Sequence, residues 1–289
     1  MAPPPSANLP LGERILALAQ TLQFAWFSGH LVLILCIVRY AFSYLIFNFY
    51  SGWARFTYRL SFLSAALTYG IVVYKTWRAR QKVGAKPSGG VIGILSDENV
   101  QYLGRLTLST LHRPSLALIW LLAPQYPLAL LPYGIYSVFH VATYTRSNVI
   151  PTIQPNKAPA GAKPQSNPIA DSIGGFVKSY YDTSMSVVAN LELLLWLRVF
   201  LSALFFQSRS WVLLGVYTAF LRARFSQSSH VQSAFNDMEL RINSIVGAQG
   251  TPPAAQSIWE AIKGGTRQFY ALTDLSKYTN GSAVPKKTS

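Results

Sequence analysis

Three charged residues stand where charge is expensive. Arg39, Glu192 and Arg198 each fall inside an apolar run of the sequence. A charge near the middle of a bilayer costs about 2.5–3.5 kcal/mol on insertion scales, so it needs a partner or a use. The opposite signs of Arg39 and Glu192 allow an interhelical pair that docks the first apolar segment on the last. The other chemistry open to the three is an ion or proton pathway, but their segments have no polar face to line one. His112 and His140 stand singly in apolar surroundings, with no second ligand at metal-binding spacing. That pattern fits packed or interfacial imidazoles rather than a base or a metal ligand. There is no G-x-S-x-G, no Walker loop and no paired-carboxylate site. Neither catalysis nor a cofactor is therefore expected. Cys36 is the sole cysteine, which excludes an intramolecular disulfide and a cysteine-based zinc site.

The elements that hold these charges must be membrane helices. Charged residues make up 12% of the chain and hydrophobic ones 51%, whereas soluble domains carry roughly a quarter charged. Aromatic residues reach 13%, as belts at the lipid headgroups require. The predicted fold is all-α: a polytopic helical membrane protein with short or re-entrant hairpins and cytosolic amphipathic C-terminal helices. The net charge of +15 comes from bases beside apolar segments, which points to anionic lipid headgroups rather than nucleic acid.

In chain order, residues 1–24 read as a tail and an interfacial helix, with Leu11, Ile15, Leu18 and Leu22 at helical spacing. Residues 25–77 form a first transmembrane hairpin with spans at 26–49 and 56–77, Arg59 and Lys75 lying near enough to the ends to snorkel. The basic loop 78–99, with Arg78, Arg80, Lys82 and Lys86, is cytosolic by the positive-inside rule, and the N-terminus with it. Residues 100–145 hold an interfacial helix and a proline-broken tract, 146–168 a Pro/Lys-rich linker. Residues 169–225 make the last membrane hairpin, with a span at 187–206 and a short arm at 211–221. A cytosolic amphipathic tail, 226–289, follows. No repeat of 20–50 residues is evident.

The tract at 115–151 organises the rest. From Ser115 to Tyr144 it has no Asp, Glu, Lys or Arg, and Pro124, Pro127 and Pro132 cut it. The apolar piece before Pro124 would be about 15 Å long as a helix and the piece from Pro132 about 20 Å. A bilayer core is roughly 30 Å thick. The tract reads as chain that turns round inside the lipid, a single kinked span being the other reading. Arg113 and Arg146 at its two ends favour a re-entrant hairpin with both ends cytosolic.

In the tail, Val231, Phe235, Met238, Ile242 and Ile245 make a narrow apolar stripe. A second helix starts near Thr251-Pro252 and carries Ile258, Trp259, Ile262 and Phe269, with Lys263 and Arg267. The stripe together with Trp259, Lys263 and Arg267 is the predicted membrane-binding set, docking on the protein's own helices being the other reading. Lys286 and Lys287, third and fourth from the carboxylate, resemble the dilysine retrieval signal of endoplasmic reticulum membrane proteins. The sequon at Asn280 stays unused if the tail is cytosolic.

The strings LPYGIYSVFHVATYTRSNVIPTI (131–153) and FLRARFSQSSHVQSAF (220–235) resemble the transmembrane protein 33 family, which includes the fungal 33-kDa pore-membrane nucleoporins. The resemblance covers about 11–246 and leaves 154–168 as a private insertion. It implies residence in the endoplasmic reticulum and nuclear envelope, association with reticulon-type tubule-shaping proteins, and a role in nuclear pore distribution or assembly. For the tail it implies membrane and importin binding. The function expected is non-enzymatic membrane shaping; the alternative is a small ion channel or carrier using the intramembrane charges.

Overall fold

Apolar runs of this length bury their backbone polar groups by coiling, and every regular element among the described residues is a helix. The computed structural model describes residues 5–6, 8–83, 116–155, 167–207 and 209–273. The helices are α1 (Leu11–Ala19), α2 (Leu22–Leu45), α3 (Gly52–Val83), α4 (Leu116–Leu122), α5 (Leu130–Tyr144), α6 (Ile150–Ile153), α7 (Pro168–Leu204), α8 (Ser210–Gln227), α9 (Ser229–Val246) and α10 (Pro253–Leu272). A 3-10 turn, Pro127–Ala129, precedes α5, and a π turn, Thr145–Val149, joins α5 to α6. Three segments are long and apolar enough to cross a membrane: Leu22–Leu45, Gly52–Lys75 and Pro168–Leu204. The chain is an all-α polytopic membrane protein.

It divides into two units. The first takes α1, α2, most of α3, α4 to α6 and most of α7. Here α2 and α3 run antiparallel, Tyr40 packing on Tyr58 (ring centroids 5.3 Å) and His30 facing Tyr69 (6.4 Å). A Cβ at Gly29 would overlap the Thr68 methyl, so glycine is what lets these helices approach. α5 lies antiparallel to α2, with Tyr144 stacked on Phe27 (4.7 Å) and Ser137 Oγ 2.8 Å from His30 Nδ1. α7 in turn runs antiparallel to α5: Phe139 meets Tyr181 (5.5 Å), and Gly174 lies under Arg146, whose Cζ would be 2.7 Å from a Cβ there. Leu33, Tyr58, Phe62, Trp120, Leu130 and Val188 form the interior.

Helix boundaries depart from expectation at three places. α3 runs on to Val83, past the predicted end at 77. The helical path from α5 continues to Ile153, inside the predicted linker, although it contains Pro151. The π turn just before that proline explains it: the wider ring relieves the clash of the pyrrolidine with the carbonyl four residues back. Third, the polar-aromatic approach and the last span are one helix, α7, of 37 residues, which at about 55 Å exceeds a bilayer core. The predicted interfacial helix at 99–112 lies outside the described residues.

The second unit takes the last turns of α7 and α8 to α10. α7 and α8 form a hairpin fastened by Trp196 Nε1, which donates to Thr218 Oγ1 at 2.8 Å. α8 is longer than the predicted arm and includes Arg222 and Arg224.

The two hairpins turn in the same way. α2 ends on RYAFSYLIF (39–47) and α7 on RVFLSALFF (198–206), identical at Arg, Ser, Leu and the last Phe. In each, the terminal Phe takes a left-handed backbone, φ 56° at Phe47 and 52° at Phe206. The residue after it bonds back five positions, Asn48 N–H to Ser43 O (2.8 Å) and Gln207 N–H to Ser202 O (3.0 Å). This is the Schellman helix end, normally built on glycine.

Candidate functional site

The helix of the proline-broken tract is interrupted between α4 and α5. Pro124 ends α4, and residues 123–126 are neither helix nor strand. Irregular backbone inside a membrane has no water to bond, so other protein groups must satisfy it. Side chains from α2 and α3 do so. The Tyr126 N–H donates to the Tyr58 hydroxyl at 2.9 Å, and the Tyr40 hydroxyl donates to Gln125 Oε1 at 3.4 Å. Arg59 donates to the carbonyls of Trp120 (3.1 Å) and Leu121, the last turn of α4. A cation at that end also meets the negative pole of the helix. The predicted snorkelling of Arg59 is thereby corrected: open carbonyls within reach hold the guanidinium in the fold. Tyr40 stands five residues before the end of α2, so the break at Gln125 lies about 8 Å short of the α2–α3 turn.

Two further arginines end helices in the same manner. Arg14, buried at 8% exposure, donates from Nη1 to Thr152 O at 2.7 Å, closing α6. Within α1 this turns Arg14 and Leu18 inward and leaves Leu11 and Ile15 exposed. Arg222 closes α10: Nε donates to Thr273 Oγ1 (2.8 Å), Nη2 to Thr273 O (3.0 Å), and the guanidinium lies 4.3 Å from the Tyr270 ring centroid.

The tail forms an antiparallel pair of helices on the end of α8. Val231 is wholly buried, and Phe235 packs edge-on against Phe225 (5.4 Å), so the first half of the α9 stripe faces protein. Met238 and Ile245 are exposed, and Ile242 is half-buried. Trp259 donates to Asn243 Oδ1 at 2.6 Å, and Lys263 reaches the same oxygen at 3.4 Å. Arg267 pairs with Glu239 at 3.5 Å. In this conformation Trp259, Lys263 and Arg267 therefore turn toward α9. The face they leave outward carries Ile258, Ile262, Phe269 and Leu272, all exposed. Ile258, Ile262 and Phe269 are residues the sequence assigns to this helix, and Leu272 extends their exposed face.

Arg39 and Glu192 have different surroundings. Arg39 is exposed and donates to Ser43 Oγ on its own helix at 2.5 Å, whereas Glu192 is 1% exposed. Arg39 makes no ion pair among the described residues, because a hydroxyl one turn away already holds it. Arg198 is likewise exposed and bonds Ser202 on its own helix. His140 packs beside His30 (4.7 Å) and Trp26 (4.9 Å) in the α2–α5 contact. Among the described residues no group of His, Cys, Asp or Glu is placed to hold a metal ion. His112, Arg113, Asn280, Lys286 and Lys287 lie outside the described residues.

Fold and site together define a helical membrane protein whose proline-broken apolar tract is held by side chains of α2 and α3. The family described as transmembrane protein 33/nucleoporin POM33 matches residues 12–269, and the chain belongs to it. It is 60% identical to Nucleoporin POM33 of Chaetomium thermophilum, with 99% of each chain covered. It is 29% identical to the Pore membrane protein of 33 kDa of Saccharomyces cerevisiae, covering 98% of this chain and 94% of that one. Identity to Tetra-spanning protein 1 of Schizosaccharomyces pombe is also 29%, over the whole of both. No solved structure matches.

Proposed function

We propose that the protein is a non-enzymatic membrane protein of the endoplasmic reticulum and nuclear envelope. It shapes or stabilises curved membrane and supports nuclear pore distribution or assembly and tubule organisation. The observation that supports this reading is the break between α4 and α5, held by Tyr58 and Arg59 short of the α2–α3 turn, which we read as the tip of a re-entrant hairpin. A tract that enters and leaves by one face adds area to one leaflet, and unequal leaflet areas bend a bilayer. The charge map places that face in the cytosol, together with both termini, so the added area favours tubules and the rim of a pore. The names of the relatives from Chaetomium and budding yeast support the pore part.

The exposed face of the α9–α10 pair, with Ile245, Ile258, Ile262 and Phe269, suits the same cytosolic leaflet. The partners that follow are anionic lipid headgroups, reticulon-type proteins and nuclear pore components, with an importin at the tail. Lys286 and Lys287 serve as the retrieval address.

The test is reconstitution of the full chain into phosphatidylcholine–phosphatidylserine vesicles imaged by electron cryomicroscopy. Vesicle diameter narrows as the protein-to-lipid ratio rises, and Arg59→Leu weakens the effect. Vesicles of unchanged diameter at every ratio overturn the reading.

A further inference from the structure

The two like hairpin turns carry more than a shared backbone. In each, the arginine six residues before the helix end bonds the serine one turn nearer that end, Arg39 to Ser43 and Arg198 to Ser202. Helical side chains lean toward the N-terminus by default. These two guanidiniums lean the other way, toward the turn and out of the apolar stretch. Both arginines are exposed. The Phe42 ring centroid is 5.9 Å from the Arg39 Cζ, and Phe42, Leu45, Phe47, Tyr50 and Trp53, in the end of α2 and the turn into α3, are all exposed. After Arg198, Phe200, Leu204, Phe205, Phe206 and Trp211, in the end of α7 and the turn into α8, are also exposed.

A guanidinium in the last turns of a membrane helix, beside a turn rich in exposed aromatic residues, lies at headgroup depth. The anion available at that depth is phosphate, which the planar fork of arginine binds with two parallel N–H donors. The aromatic rings suit the glycerol and upper acyl region on which they would rest. Snorkelling of one arginine would need no special design. Two arginines with the same serine, the same leucine, the same left-handed phenylalanine and the same back-bond are a repeated device.

We propose that each hairpin turn holds one phospholipid phosphate of the leaflet in which it lies, through Arg39 at the α2–α3 turn and Arg198 at the α7–α8 turn. The bound headgroup fixes how deep each turn reaches. The proposal does not rest on the curvature reading; a protein that leaves vesicles round would still hold the lipids.

The test is native mass spectrometry of the full chain released from detergent with phosphatidylcholine, a diacylglycerol of the same acyl chains, or inorganic phosphate. The wild type retains two phosphatidylcholines. Arg39→Gln and Arg198→Gln each lose one, with occupancy of that site down about tenfold, as expected for charge-assisted bonds. Diacylglycerol is not retained, and inorganic phosphate does not displace the phospholipid. Equal retention by wild type and both variants overturns the proposal, as does equal retention of diacylglycerol. Displacement by inorganic phosphate overturns the lipid as the ligand. Should the variants fail to fold, arginine Cζ-to-phosphorus dephasing in the wild type, by solid-state NMR in phosphatidylcholine bilayers, decides the matter. Dephasing at both arginines supports the proposal, and its absence overturns it.

Discussion

The hydroxyl of Tyr58 on α3 accepts the backbone N–H of Tyr126 at 2.9 Å, where the proline-broken tract leaves the helical path. Tyr58 is fully buried and Tyr126 nearly so. Removing the hydroxyl leaves that N–H without its protein acceptor in a place water does not reach. Tyr58→Phe is expected to cost about 1–3 kcal/mol, read as a lower melting temperature in detergent micelles. An unchanged melting temperature would show that the bond is not needed.

Arg59→Gln removes the charge that ends α4 while keeping an amide donor. Two carbonyls lose a charge-assisted partner, and the expected loss is about 1.5–3 kcal/mol. Hydrogen exchange localises it: protection falls in α4 and residues 123–126 and holds along α2. Uniform loss across α2 and α5 would contradict a local role.

At the α2–α3 contact, Gly29→Ala sets a methyl onto the Thr68 side chain. Overpacking of this kind costs about 1–3 kcal/mol. Thr68→Ala removes the obstructing methyl, so the double variant should melt above Gly29→Ala alone. Simple additivity of the two losses would show that the contact is not tight.

Arg222→Ala unlatches the end of α10. Exchange should accelerate along Pro253–Leu272, which has no buried residue of its own, while α8 stays protected. Equal protection of α10 in both proteins would show that the Trp259–Asn243 and Arg267–Glu239 contacts suffice.

Phe47→Gly and Phe206→Gly relieve a left-handed conformation that costs an ordinary residue about 1–2 kcal/mol. Each is expected to raise stability in detergent. The wild-type phenylalanines, 86% and 81% exposed, bring apolar surface to the turn at that cost, so the glycine variants should sit less firmly in bilayers. Parallax quenching of Trp53 or Trp211 by spin-labelled lipids reads that depth.

The helices themselves were legible because a bilayer demands long apolar runs. The spans at α2 and the start of α3, the break at Pro124 and the two tail helices all follow from hydropathy and helical period. What pins them was not legible. Arg59 looks like an end-of-span arginine until the carbonyl of Trp120, sixty-one residues on, is found beside it. The contacts of Trp259, Lys263 and Arg267 with Asn243 and Glu239 are not legible either, because spacing within α10 says nothing of the α9 residues beside it. The shared turn escaped notice because its identities are spaced within nine residues and recur far along the chain. Only the two left-handed phenylalanines draw the eye to it.

The central claim is that the tract turns round inside the bilayer. It is tested most directly by labelling single cysteines in a Cys36→Ser background, in microsomes. Pro124→Cys marks the fold-back, at an exposed site beside it; Tyr50→Cys marks the α2–α3 turn. The claim predicts that a water-soluble maleimide reaches Tyr50→Cys once the microsomes are permeabilised and never reaches Pro124→Cys. Spin labels midway along the acyl chains should then quench a lipid-soluble fluorophore at Pro124→Cys. Labelling of Pro124→Cys by the water-soluble reagent, from either side, would contradict it.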